Sequence, residues 1–132
     1  MTDGSGEAEM TDEHGDTAAV ATLAQAYYDT MVAGDEAGMR RVFDARAPIV
    51  GHYLGELLWQ SLDEFIAEAR GLVGQHGRIE SRIERVDVIG DTAIALVGGR
   101  YAGLWFEDHL AMVRIDGAWR VVAKTFRVKP GA

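Results

Sequence analysis

The sequence predicts an α+β fold in which a curved antiparallel sheet wraps around three helices. Three observations predict it. Apolar residues recur at helical spacing in three segments of the first half of the chain. From about residue 79 onward the chain reads as almost continuous strand, cut by the turn dipeptides Gly90-Asp91 and Asp116-Gly117. Helices grouped before a run of antiparallel strands pack together on one face of the sheet those strands form.

The first helix is expected from about Thr17 to Ala33, where Val20, Leu23, Ala24, Tyr27 and Met31 share a face, with Asp16 or Thr17 as cap and Gly34 as stop. Asp35 caps a short second helix carrying Met39, Val42 and Phe43, which ends before Pro48 because a residue preceding proline avoids the helical region. Ile49 to Leu54 reads as a strand and Glu56 to Gln60 as its short partner. Ser61-Leu62-Asp63-Glu64 has the form of a capping box, and Leu62, Phe65, Ile66, Ala69 and Leu72 follow on one helical face.

Gly71, Gly74 and Gly77 then dissolve the helix into a loop. In the next strand Ile79, Ser81 and Ile83 keep one parity and Val86 and Val88 the other, which predicts a bulge near Glu84 or Arg85. Gly98-Gly99 and Gly103 interrupt long strands and are expected to kink them. A sheet bent in this way leaves its helices unable to fill the concavity, so a pocket is expected at the open end.

A chain of 132 residues with 48% hydrophobic content is of single-domain size. The net charge of −8 is mostly local: residues 1–16 hold six acids and no base, and the remaining 15 acids and 13 bases leave the body at −2. Residues 1–16 are therefore expected as a disordered acidic tail and residues 17–132 as one domain. The near-neutral body lacks the clustered basic face that nucleic acid requires. No apolar run reaches the length of a membrane span, and the acidic amino terminus does not resemble a signal peptide. The absence of cysteine excludes disulfides, thiolate metal sites and cysteine nucleophiles, and suits a reducing, cytoplasmic compartment.

The ordered set Tyr27, Gly34-Asp35, Met39, Val42-Phe43, Gly55, Ser61, Phe65-Ile66, Gly90-Asp91, Ala93, Phe106, Asp108, Leu110, Gly117, Trp119, Val121, Lys124 and Phe126 resembles the nuclear transport factor 2-like (NTF2-like) superfamily. Within it the sequence is most similar to the putative lumazine-binding branch, a relative of the SnoaL-like cyclases, over about residues 17–129. The resemblance implies a cone-shaped, cystatin-like roll with an internal ligand cavity and dimerisation through the sheet.

Asp108 shares strand parity with Phe106, Leu110 and Met112, so it is expected to face the cavity with them. A carboxyl among apolar groups has a raised pKa, which suits a general acid or base near neutrality. Of Arg100 and Tyr101, which follow the glycine pair, alternation sends one inward; Tyr101 brings area and one donor, whereas an inward Arg100 would call for an acidic ligand. His52 keeps the parity of Val50 and Leu54 and is placed within reach of the cavity mouth. His109 has the opposite parity to Asp108. Asp108, Tyr101 and His52 are thus the candidate catalytic residues. Tyr27, Trp59, Phe65, Arg100, Trp105, Phe106 and Met112 are the candidate ligand-binding residues, with Tyr53 and Phe126 adding to the aromatic supply.

Lys124 has the parity of Val122 and Phe126, opposite to Trp119 and Val121, so it faces outward unless a bulge intervenes. No spacing suggests a metal site, and no phosphate loop, dinucleotide fingerprint or nucleophile elbow is present, so neither metal nor cofactor is expected. The pattern predicts a domain that binds a small apolar or aromatic ligand, acting as a cofactor-independent isomerase, cyclase or dehydratase through its pocket carboxylate. A non-catalytic binder of a heteroaromatic or polyketide-like ligand, or a dimeric accessory domain, fits the same sequence.

Overall fold

The computed structural model describes the backbone of residues 2–131 and the side chains of residues 15–131. The expected acidic tail, residues 1–16, falls outside the described side chains except for Gly15 and Asp16. Three helices, α1 (Thr2–Ala33), α2 (Glu36–Val42) and α3 (Leu62–Gly71), accompany six strands. These are β1 (Ile49–Tyr53), β2 (Glu56–Gln60), β3 (Ser81–Ile89), β4 (Thr92–Tyr101), β5 (Leu104–Ile115) and β6 (Ala118–Val128). No helix among the described residues is long and apolar enough to cross a membrane.

Helix ends follow their local chemistry. At the end of α1, Gly34 takes φ +64°. Its N–H donates to Met31 O at 3.1 Å and the Asp35 N–H donates to Thr30 O at 2.9 Å, so both orphaned carbonyls are satisfied. The Asp35 carboxylate then accepts from the Gly38 N–H and starts α2. At the start of α3 the Glu64 N–H donates to Ser61 Oγ while the Ser61 N–H donates to Glu64 Oε1, closing the capping box.

The strands form one sheet in the order β2-β1-β6-β5-β4-β3. Its pairs are antiparallel except β1 against β6, which is parallel. The sheet is therefore mixed where the sequence suggested purely antiparallel pairing, because the β1–β2 hairpin is laid beside the last strand and not beside its chain neighbour β3. Gly103 lies in the hairpin turn between β4 and β5, with Ala102 at φ +53°, instead of kinking a strand.

Two bulges bend the sheet. One sits at Glu84, where Ile83 pairs Val97 and Arg85 pairs Leu96. The other sits at Val122, where Ala111 pairs Ala123 and Met112 pairs Val121. The second reverses side-chain parity within β6. Before it Trp119 and Val121 are buried, and after it Lys124 is buried as well. The outward orientation expected for Lys124 is corrected by that one extra residue.

Val20, Ala24, Tyr27, Tyr28 and Met31 of α1 pack on Phe65, Ile66 and Ala69 of α3 and on the inner face of β4 to β6. The Gly98-Gly99 pair lets side chains cross close to the strand on both faces. A Cβ on Gly99 would lie 2.6 Å from the Tyr28 ring and one on Gly98 2.9 Å from the Trp105 ring. The core takes in Ile49 of β1, with Tyr53 packed against it, and leaves the rest of the β1–β2 hairpin out, at the open end of the sheet.

Candidate functional site

At that open end lies a cavity of about 180 Å³ between α1, α3 and the inner faces of β1, β2, β5 and β6. Pockets that bury drug-sized ligands run from roughly 300 to 1,000 Å³, so this one suits one or two fused rings. Its wall is largely apolar, built from Met31, Ile49, Tyr53, Phe65, Phe106 and Phe126 among others. Tyr53 stacks on Phe106 with centroids 6.0 Å apart, which fixes both rings. Set into this wall are Asp108, Lys124, Glu68, Gln60 and Tyr101.

The polar groups form two sets. In the first, the fully buried Tyr27 hydroxyl donates to Asp108 Oδ2 at 2.5 Å, and Lys124 Nζ stands 4.0 Å from the same oxygen. Asp108 Oδ1 is buried and has no partner among the described residues. Burial pushes the Asp108 pKa up against the opposing pull of Lys124, the Tyr27 hydrogen bond and His109. Burial likewise pulls the Lys124 pKa down, against Asp108 and Glu68. The Tyr27 pKa is raised well above the phenol range, by burial first and by Asp108 second, so its proton stays on oxygen.

In the second set, Tyr101 Oη donates to Glu68 Oε2 at 2.7 Å and Gln60 Nε2 donates to Glu68 Oε1 at 3.0 Å. Burial, and then Glu68, raises the Tyr101 pKa. Behind Tyr101 the buried His76 ring stacks at 4.9 Å and accepts the Ala102 N–H at Nδ1, 2.9 Å away. Burial lowers the His76 pKa, which favours a neutral ring protonated at Nε2.

Of the residues singled out from sequence, Asp108, Tyr101, Phe65 and Phe106 lie on the cavity wall. Tyr27 does not line it; α1 carries it behind Asp108, where it holds the carboxyl. Met112 is buried deeper, against the closed end of the core. The remaining four face away, each for the same reason of strand alternation. Ile49 and Tyr53 face the cavity, so His52 is exposed on the far side of β1. Leu58 and Gln60 point inward, which leaves Trp59 71% exposed. With Tyr101 inward, Arg100 points outward, and Trp105 opposite it lies beneath the guanidinium groups of Arg82 and Arg100, 5.7 Å from each.

Lys124, Glu68 and Gln60 were not anticipated on the wall. Glu68 had a readable signal, since it stands three residues after Phe65 and four before Leu72 on the apolar stripe of α3. Gln60 also had one, sharing the parity of Leu58. Among the described residues no group of three His, Cys, Asp or Glu is placed to hold a metal ion.

A family model described as "Putative lumazine-binding" matches residues 15–127. An NTF2-like protein of unknown function from Silicibacter pomeroyi is 38% identical, with a TM-score of 0.82 over 90% of this chain and 98% of that one. An NTF2-like protein of unknown function from Shewanella baltica shares the fold at 21% identity and TM-score 0.80, over 89% and 96% of the two chains. A protein from Streptomyces avermitilis described as a putative dehydratase of the NTF2-like family shares it at 17% identity and TM-score 0.67, over 88% and 97%. No curated protein matches the chain.

Proposed function

The chain belongs to the putative lumazine-binding family of the NTF2-like superfamily, and from that membership we propose that its cavity binds a one- or two-ring ligand and transfers a proton on it without a cofactor. Asp108 is the acid–base group of this reading. Oδ2 is held by Tyr27, and Oδ1, buried and without a partner among the described residues, is the oxygen left to meet a ligand proton. That free oxygen is the observation that carries the proposal, because an unsatisfied buried carboxyl oxygen costs stability and asks for a partner. Tyr101, fixed by Glu68, orients the ligand alongside. Isomerisation, cyclisation and dehydration all need such a base in a dry site.

A generic base probe tests this without knowledge of the substrate. 5-Nitrobenzisoxazole is a small bicyclic compound that opens to a coloured phenolate when a carboxylate removes its C–H proton. The wild-type chain is expected to accelerate the opening and Asp108→Asn to lose about 10² to 10⁴-fold, the usual worth of a general base. An Asn variant as fast as the wild type would sink the catalytic reading.

One observation favours binding without chemistry. Gln60 lines the cavity and donates one N–H to Glu68, and its amide carries a second N–H and a carbonyl oxygen, a donor–acceptor pair that would match the ring amide of a heteroaromatic ligand. If lumazine fluorescence is quenched on titration with both wild type and Asp108→Asn while neither opens the probe, this second reading holds. In either case we read residues 17–132 as one domain that pairs with a second copy through the sheet, and its lack of cysteine as suited to the cytoplasm.

A further inference from the structure

We propose that Lys124 is a nucleophilic amine and that the cavity takes small aldehydes or ketones, which condense with its Nζ to a Schiff base. The inference rests on the cavity reading above and names the carbonyl class it would accept. Its basis is the unusual setting of this side chain. Lys124 is one of only two lysines in the sequence, against 11 arginines. It is 4% exposed on the cavity wall. Its Nζ has no oxygen within hydrogen-bond distance among the described residues; Met31 Sδ and Asp108 Oδ2 each stand 4.0 Å away. Aromatic rings box it, with Phe65 at 4.2 Å, Tyr27 at 5.0 Å and Phe126 at 5.5 Å.

A buried ammonium with so few acceptors is poorly solvated, so burial raises the share of neutral amine, which has a free lone pair. An alternative use of a buried cation is to bind an anionic ligand. The surroundings oppose it: Glu68 from α3 shares the wall with Lys124, and an incoming anion would meet that carboxyl group. The other titratable groups facing the amine, Tyr27 from α1 and Tyr101 from β4, keep their protons. A neutral electrophile suits this wall better.

The step balances within these residues. The Nζ lone pair attacks the carbonyl carbon, the C=O π pair moves to oxygen, and protonated Asp108 gives that oxygen its proton. The carboxylate left behind takes a proton from the new ammonium. Protonation of the carbinolamine hydroxyl by Asp108 releases water and leaves a protonated imine beside the Asp108 carboxylate; return of that N–H proton to Asp108 gives the neutral imine, so amine plus carbonyl become imine plus one water. While protonated, the imine is a cation faced by the same three rings and by the Asp108 carboxylate.

Benzaldehyde with cyanoborohydride tests the idea on the intact wild-type chain. Reduction fixes any imine as a benzyl amine, and peptide mass spectrometry locates it. Lys129, exposed near the carboxyl end, and the α-amino group are internal references. At neutral pH Lys124 is expected to be labelled at least about tenfold faster than Lys129, because each unit by which an amine's pKa falls raises its neutral fraction roughly tenfold. Benzyl alcohol, a similar shape without the carbonyl, is expected to bind the cavity, seen by saturation-transfer NMR, and to protect Lys124 but not Lys129. Asp108→Asn is expected to slow labelling at Lys124 alone. If benzyl alcohol binds but Lys124 is labelled no faster than Lys129, the amine role is overturned and the cavity reading stands. If neither compound binds and Lys124 is unlabelled, both fall.

Discussion

Tyr27 and Asp108, on the first helix and the fifth strand, are joined by a hydrogen bond of 2.5 Å from Tyr27 Oη to Asp108 Oδ2, while Asp108 Oδ1 has no partner among the described residues. The pairing makes the two carboxyl oxygens inequivalent. One is anchored to the helix and the other is left without a protein donor among the described residues. Burial raises the pKa of Asp108, and Lys124, the Tyr27 hydrogen bond and His109 oppose that rise, so Tyr27 is one of the groups that tune the carboxyl.

Tyr27→Phe removes the lowering contribution and keeps the ring. The rate of 5-nitrobenzisoxazole opening should rise with pH as Asp108 ionises, and in Tyr27→Phe the midpoint of that rise should move to higher pH. A shift of about one unit corresponds to about 1.4 kcal/mol of lost preference for the charged form. A midpoint that stays fixed or moves down would show that Tyr27 does not tune the carboxyl.

The buried Asp108–Lys124 pair should cost stability. Replacing both partners, as Asp108→Asn with Lys124→Met, is expected to leave the fold as stable as the wild type or up to about 4 kcal/mol more stable in urea, because both groups lose hydration that their 4.0 Å contact only partly restores. The pH dependence has a definite sign. Burial makes the folded state hold the Asp108 proton more tightly than the unfolded chain, so this group favours folding most at or below the unfolded pKa of about 3.9, and that contribution is lost as pH rises through the raised folded value. The stability of Asp108→Asn relative to wild type should therefore improve from pH 4 towards neutrality. A double variant less stable than either single one would refute the account.

Much of this arrangement was legible in the sequence, for reasons that particular residues make clear. The Ser61 box and the Asp35 cap are local chemistry, settled within four residues. Asp108 was readable because Phe106, Leu110 and Met112 keep one parity across an unbroken strand. Lys124 was not, because the extra residue at Val122 exists only through the pairing of β6 with β5, and a single bulge inverts every inference beyond it. His52 and Trp59 failed differently. In a short strand with apolar residues on both faces, such as β2 with Leu57 and Leu58, parity says which residues are together but not which face is inside.

Asp16 should anchor the body although the charge count assigned it to the tail. It accepts from Trp119 Nε1 at 3.0 Å and from Arg114 Nη1 at 2.6 Å, tying α1 to the β5–β6 hairpin. The Trp119 and Arg114 contacts lower its pKa, so its contribution is present above the unfolded value and lost as pH falls through the folded one. Asp16→Ala should lower Tm at neutral pH, with the difference shrinking in acid, whereas deleting residues 1–14 should leave Tm unchanged. Equal loss from the deletion would mean that the preceding segment also packs on the body.

The outer sheet face is the last feature that calls for a partner. Leu57 and Trp59 stand side by side on edge strand β2, both largely exposed on the outer face of the sheet; Ile94 shares that face but lies on β4, with three strands between. Exposed apolar groups so grouped mark association surfaces, and a two-fold pairing of the chain with itself would cover both copies of the patch at once. Sedimentation at tens of micromolar should give a dimer for the wild type. Trp59→Glu puts two like charges near the axis of such a pair and should give a monomer with the same Tm and the same probe activity, since Trp59 points away from the cavity. A wild-type monomer at that concentration would reject the pairing, and a Trp59→Glu dimer would move the interface to another part of the sheet.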